Sequence, residues 1–206
     1  MIAISSFRPF DKCNEQIKEN QIRAFRSWLL GMDRIVYFGE VERHLESCKT
    51  EFISCEGKPT IKGMSKLASG MGAWACIINA DIVVTEKIAQ VEQKLNELEC
   101  ECAISQRYDL QTGRVIDNGL DFFAARPHVW ARLSLRIPEG FTLGRIAWDS
   151  WTLGWMVANY GRKCADITPA KVCYHPRHED RFDQNWNAPK DDKYLKTFFW
   201  PTMAVY

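Results

Sequence analysis

The feature that most constrains the fold is a near-continuous apolar run at residues 73–78 (AWACII) that stops abruptly at Asn79-Ala80-Asp81. A strand with no polar alternation is buried on both faces, and such strands belong to mainly parallel sheets covered by helices. Thr85 then opens a helical pattern in which Ile88, Val91, Leu95 and Leu98 recur on one face. In open α/β sheets, ligands lie beyond the carboxyl ends of the strands. An acidic residue directly after a buried strand is aimed at that region. If the chain stays extended, Asn79 and Asp81 point to the same side. Oxygen ligands of this kind suit Mg²⁺ or Mn²⁺ bridging a diphosphate. The structural alternative is that Asn79 starts a turn and Asp81 caps the next element.

The rest of the first half fits the same architecture. Residues 2–7 form a β-prone run, and residues 14–30 carry Ile17, Ile22, Phe25 and Leu29 near helical spacing, with Gly31 as the stop. Strands are predicted at 34–38 and 51–55. Thr60 caps a helix whose face is Ile61, Met64, Leu67 and Ala68, closed by Gly70. The order β-α-β-β-α-β-α predicts an α/β fold with a mixed, mainly parallel sheet and helices on both faces. The second half is less regular. Strands are expected at 102–107 and 120–124, a turn at 111–113, a short helix at 127–133, a helix at 147–159, a late strand at 171–175 and a charged, loop-like tail after it.

At 206 residues with 46% apolar residues, the chain can bury one sizeable core. A single domain over 1–206 is expected, with a ligand-binding half (1–100), a second half (101–180) and a C-terminal extension (181–206). Its 27 basic residues against 26 acidic ones set up no field that would draw it to nucleic acid or an anionic membrane. The N-terminal sequence has no signal-peptide pattern, and no apolar run reaches the length of a membrane span. A soluble, cytoplasmic protein is expected, whose eight cysteines are mostly thiols.

Together these features resemble the GT-A-type nucleotide-sugar glycosyltransferases over residues 1–180. In that family a first strand leads into a nucleotide-binding loop, and a central strand ends in a DxD motif. Here the motif is Asn79-Ala80-Asp81 within IINADIVV, with Asn in place of the first Asp. The resemblance implies that Asp81 is a metal ligand and that Asn79 contacts the donor ribose or sugar. It places Ser5 and Phe7 near the base and Arg8 near base or phosphate. Lys62 or Lys66 would supply the basic residue that the family draws from the helix before the motif. Gly119-Leu120-Asp121-Phe122-Phe123 is similar to the strand on the acceptor side, where Asp121 would hydrogen-bond a sugar hydroxyl or cap a strand end.

Trp148-Asp149 falls where inverting members carry a general base. An acceptor hydroxyl must lose its proton as it attacks the anomeric carbon. Asp149 would equally serve as a helix cap, and Trp148, Trp151 and Trp155 would wall the acceptor site. In the stretch at 173–180, His175, with His178 as substitute, would complete the metal shell, and Arg177 or Arg181 would neutralise the diphosphate. The implied activity is metal-dependent, inverting transfer of a sugar from a nucleotide-diphosphate sugar, with Mn²⁺ or Mg²⁺. The acceptor stays open between a glycan, a small molecule, a protein and a nucleic-acid base.

Three other readings stand beside this one. Cys164, Cys173, His175 and His178 offer a zinc-ligand set for an interaction module. A nucleotidylyltransferase would need a glycine-rich phosphate loop near the first strand, where this chain reads Ser5-Ser6-Phe7-Arg8-Pro9. A non-catalytic nucleotide-sugar binder is the third.

Overall fold

The computed structural model describes residues 1–55, 57–143, 145–177, 183–186 and 203–204. The first half forms β1 (Ile2–Ser5), α1 (Glu15–Gly31), β2 (Arg34–Phe38), β3 (Thr50–Ile53), α2 (Ile61–Ser69) and β4 (Ala75–Ile78), then a two-residue β5 (Val83–Val84) and α3 (Ile88–Glu97). The second half forms β6 (Cys102–Asp109), β7 (Val115–Ala125), α4 (Pro127–Ser134), β8 (Arg145–Ile146), α5 (Trp148–Tyr160), β9 (Cys164–Asp166) and β10 (Cys173–His175). Within the stretch read as a loop-like tail, β11 (Asp183–Trp186) pairs with β8, and β12 (Met203–Ala204) pairs with β9.

The main sheet runs β12-β9-β6-β7-β4-β1-β2-β3, with β10 alongside β6 and β5 alongside β10. β1 lies parallel to both β2 and β4, and β2 is parallel to β3. β7 runs antiparallel between β4 and β6. The sheet is thus mixed and mainly parallel, as the first half predicts.

Strand alternation sorts the core into two layers. Ala3, Ile35, Tyr37, Cys76 and Ile78 face one layer, covered by Phe25 and Trp28 of α1 and by Ile88, Val91 and Leu95 of α3. Ile2, Ile4, Val36, Ala75 and Ile77 face the other, covered by α2, α4 and α5. β4 contributes to both, which is why its sequence shows no polar position.

Side chains cap the N-termini of α1 and α2, in α2 at the predicted Thr60. Asn14 accepts the Ile17 N–H at 2.9 Å, and Thr60 accepts the Gly63 N–H at 3.1 Å. α1 ends at Gly31, where the sequence puts its stop, and a Cβ there would stand 2.6 Å from Ile88 Cγ2, so glycine also lets α1 approach α3.

Candidate functional site

Asp81 sits in a short connection that the fold holds from several directions. The Asn79 N–H donates to the Asp121 carbonyl at 3.2 Å, tying the end of β4 to β7. The Ile82 N–H closes a turn onto the Asn79 carbonyl at 3.1 Å. From α1, the buried Trp28 donates its Nε1–H to the Ile82 carbonyl at 2.7 Å, and Ser27 Oγ accepts the Val84 N–H at 2.9 Å. β5 then pairs antiparallel with β10, Val84 opposite Cys173 and Val83 opposite Tyr174. That ladder brings His175 beside Asp81, with Nε2 3.3 Å from Oδ2. Trp28→Phe keeps most of the apolar contact but strands the Ile82 carbonyl. It is expected to lower stability by about 1–3 kcal/mol in denaturant unfolding.

A second set of polar side chains adjoins this pair. Asp121 on β7 is 7% exposed. Its Oδ1 accepts from Asn79 Nδ2 and its Oδ2 from Arg107 Nη1 of β6. Burial pushes the Asp121 carboxyl up, Arg107 opposes that, and the charge of Asp81 adds to it. The Arg107 Nε is buried and without a hydrogen-bond partner among the described residues.

Asp149, half-buried in the first turn of α5, lies within electrostatic reach of both Asp121 and Arg107. Burial is the main cause that pushes its carboxyl up to about 6, against the Ser150 N–H that it accepts at 2.8 Å. Ala147, just before α5, adopts φ 85°, a left-handed conformation that L-residues rarely hold. The cap position is therefore Ala147, whose side chain cannot cap, and Asp149 stands two residues further in.

Among solved structures, the chain matches residues 1–349 of S. aureus TarS in complex with UDP-GlcNAc. The TM-score is 0.58 and the identity 10%, over 88% of this chain and 59% of that one. It also matches a Bacillus anthracis protein assigned as a glucose-1-phosphate thymidylyltransferase, in complex with a sucrose, at TM-score 0.52 and 9% identity over 86% of both chains. The chain shares with these structures an α/β fold built on a mixed, mainly parallel sheet covered by helices. At such identities the likeness concerns the fold, and the chain spans well under two thirds of the TarS chain. No protein-family model and no curated protein matches the sequence.

Within this fold, the residues singled out from sequence divide into groups. Asn79, Asp81, Asp121, Asp149 and His175 come together at or beside the strand ends. Ser5 is fully buried at the end of β1, and its Oγ–H donates to the Ile78 carbonyl at 2.6 Å, which binds β1 to the start of the Asn79 connection. Phe7 is half-buried, edge-on to Tyr37 with ring centroids 5.5 Å apart. Arg8 is exposed, and Gln21 of α1 brackets its backbone, accepting from N at 2.7 Å and donating to O at 3.2 Å. Lys62 pairs with Glu139, while Lys66 is exposed on α2. His178 and Arg181 lie outside the described residues.

Three expectations change. Trp148, Trp151 and Trp155 are each at most 3% exposed and belong to the core layer under α5, so they do not wall an acceptor site. Arg177 gives its Nε–H to the buried Asp109, whose carboxyl is held down to about 2: burial raises it, and Arg177 and Thr112 more than offset that. The four-residue zinc set is not assembled. Cys164 stands opposite Cys102 at the start of β6, while His175 stands opposite Asp109 at its end. At about 3.3 Å per residue, those positions are roughly 20 Å apart. Among the described residues, no group of three or more His, Cys, Asp and Glu side chains converges as a metal site.

Arg107 and Trp28 escape the sequence reading. Arg107 carried a usable signal, being a basic residue near the carboxyl end of a strand. Trp28 carried none, since its hydrogen bond crosses from a helix to a distant carbonyl. No described helix is long and apolar enough to cross a membrane.

Proposed function

We propose that this chain transfers a sugar from a nucleotide-diphosphate sugar to an acceptor hydroxyl, with inversion and with help from Mn²⁺ or Mg²⁺. The observation that carries the reading is the meeting of Asp81 with His175 at the strand ends, with Asp121 within electrostatic reach of both that pair and the half-buried Asp149. Asp81 and His175 are two donors, fewer than a self-sufficient metal cage needs. Mg²⁺-type sites commonly use one or two protein ligands and complete the shell with substrate phosphates and water. The donor set therefore fits a cation that arrives with a diphosphate, and Asp81 and His175 would hold it. Such a cation supplies charge stabilisation to the departing diphosphate.

The chain's own residues do the remaining work. Asp149 takes the proton from the acceptor hydroxyl as that oxygen attacks the anomeric carbon. Its raised proton affinity makes it a better base than an exposed carboxylate and leaves it ionised at neutral pH. Asn79 meets a hydroxyl of the donor, and the loop from Ser5 to Arg8, pinned to α1 by Gln21, lies on the nucleoside side. The TarS complex with UDP-GlcNAc supports a sugar nucleotide as donor. The acceptor stays open between a glycan, a small molecule, a protein and a nucleic-acid base.

A thermal-shift panel of UDP, GDP, ADP, CDP and dTDP, with and without Mn²⁺, tests this reading. A ligand at about 100 times its Kd adds about 2.7 kcal/mol, and the Tm should rise by several degrees only when Mn²⁺ is present. No shift with any nucleotide would sink the proposal.

A further inference from the structure

Asp121 is bonded on both sides in a way that dictates its partners. Arg107 has only donors, and its Nη1–H bonds the Asp121 Oδ2. The other oxygen faces Asn79 Nδ2. An ionised carboxylate offers acceptors alone, so Asn79 must turn its NH₂ toward Asp121 and its Oδ1 away. A carboxylate at position 79 would set two anions against each other where Asp121 is only 7% exposed.

We propose that Asn79 and Asp121 are a matched pair in which Asp121 is a positioning residue. It fixes the Asn79 amide so that Oδ1, an acceptor, is left for a hydroxyl of the ligand, and it requires an amide rather than a carboxylate at position 79. The Asn in Asn79-Ala80-Asp81 is then a consequence of Asp121, and not a degraded motif. What Asn79 contacts rests on the sugar-nucleotide reading above, whereas the exchangeability of the two side chains stands without it.

Exchange of the two residues is the decisive variant. In N79D/D121N, the amide at 121 donates to the carboxylate at 79 and accepts from Arg107. Every hydrogen bond and the net charge are kept, and an acceptor oxygen still faces the ligand. The single variants fail in different ways. N79D opposes two carboxylates and should lose several degrees of Tm at pH 8. D121N leaves the fold a way out: Asn79 flips, gives Oδ1 to the new amide, and presents a donor where the ligand needs an acceptor. D121N should therefore keep most of its Tm while its affinity falls about tenfold or more, the size of one hydrogen bond replaced by a mismatch.

The measurements are Tm at pH 8 and titration calorimetry, with Mn²⁺, of whichever nucleotide diphosphate sugar the wild type binds. The exchanged variant is expected within a few degrees of wild-type Tm and well above N79D. An exchanged variant as impaired as N79D, or a D121N protein that binds like wild type, would overturn the proposal. If N79D does not fold, a folded exchanged variant supports the pairing and an unfolded one refutes it. If the wild type binds no sugar nucleotide, the donor reading fails by itself. The Tm values then decide the pairing: rescue of N79D by D121N upholds it, and absence of rescue removes it.

Discussion

Asp149→Asn is expected to lower kcat by about 10³-fold while leaving the KM for the donor nearly unchanged, because it removes a proton acceptor and not a binding contact. The pH profile gives the finer test. Burial, with the charge of Asp121 adding to it, raises the Asp149 carboxyl to about 6. Below that pH the group is protonated and cannot act as a base, so kcat/KM should fall with acid through about pH 6. That limb should be absent from the residual activity of the Asn variant.

Stability should move the other way. Between the ordinary carboxylate range and pH 6, the folded chain keeps a proton that the unfolded chain has already released. The contribution of Asp149 is thus fully present at low pH and lost as pH rises through 6, by on the order of 2–3 kcal/mol. Above pH 6, Asp149→Asn should be more stable than wild type and far less active. A variant that keeps its turnover, or a profile with no acid limb in the wild type, would remove Asp149 from its assigned role.

Asp81→Ala is expected to abolish Mn²⁺-dependent binding of the donor, and with it metal-dependent turnover. The change removes the carboxylate 3.3 Å from His175 Nε2, and one imidazole makes a poor site for a hard cation. In the thermal-shift panel, the Mn²⁺-dependent increment should vanish, although the fold is retained through the Trp28 and Ser27 bonds to the same connection. Full activity of this variant would refute the role given to Asp81.

The first half of the fold was readable because its elements are long and buried on predictable faces. AWACII had to be a central strand, and the Asn14 and Thr60 caps are local in sequence. In the second half, β6, β7 and β10 fall where strands were expected, and the shortest strands stayed hidden. β5 and β8 have two residues each and β9 has three, too short to show any period. Their existence depends on partners: β5 is a strand because β10 lies against it.

The site divides along the same line. Asp81 could be found because it follows a strand that could not be anything else. Asp149 could be placed early in a helix, but its raised proton affinity could not, since burial depends on the packing around it. Arg107 stayed hidden because nothing near it in sequence says that Asp121 and Asn79 will stand beside it. The tryptophans misled for a physical reason: large rings serve binding sites and cores alike, and here an exposure of only 2–3% decides for the core.

The pairing of β5 with β10 also fixes when the site can exist. Asp81 and His175 belong to opposite halves of the chain and are brought together by that ladder. A nascent chain that has folded through β4 and α3 already displays Asp81, yet holds no counterpart for it until the strand carrying His175 has emerged and docked. Long-range pairings of this kind form late. The cation-binding corner would thus be completed among the last steps of maturation, and a truncated chain could look well folded over its first half while lacking it.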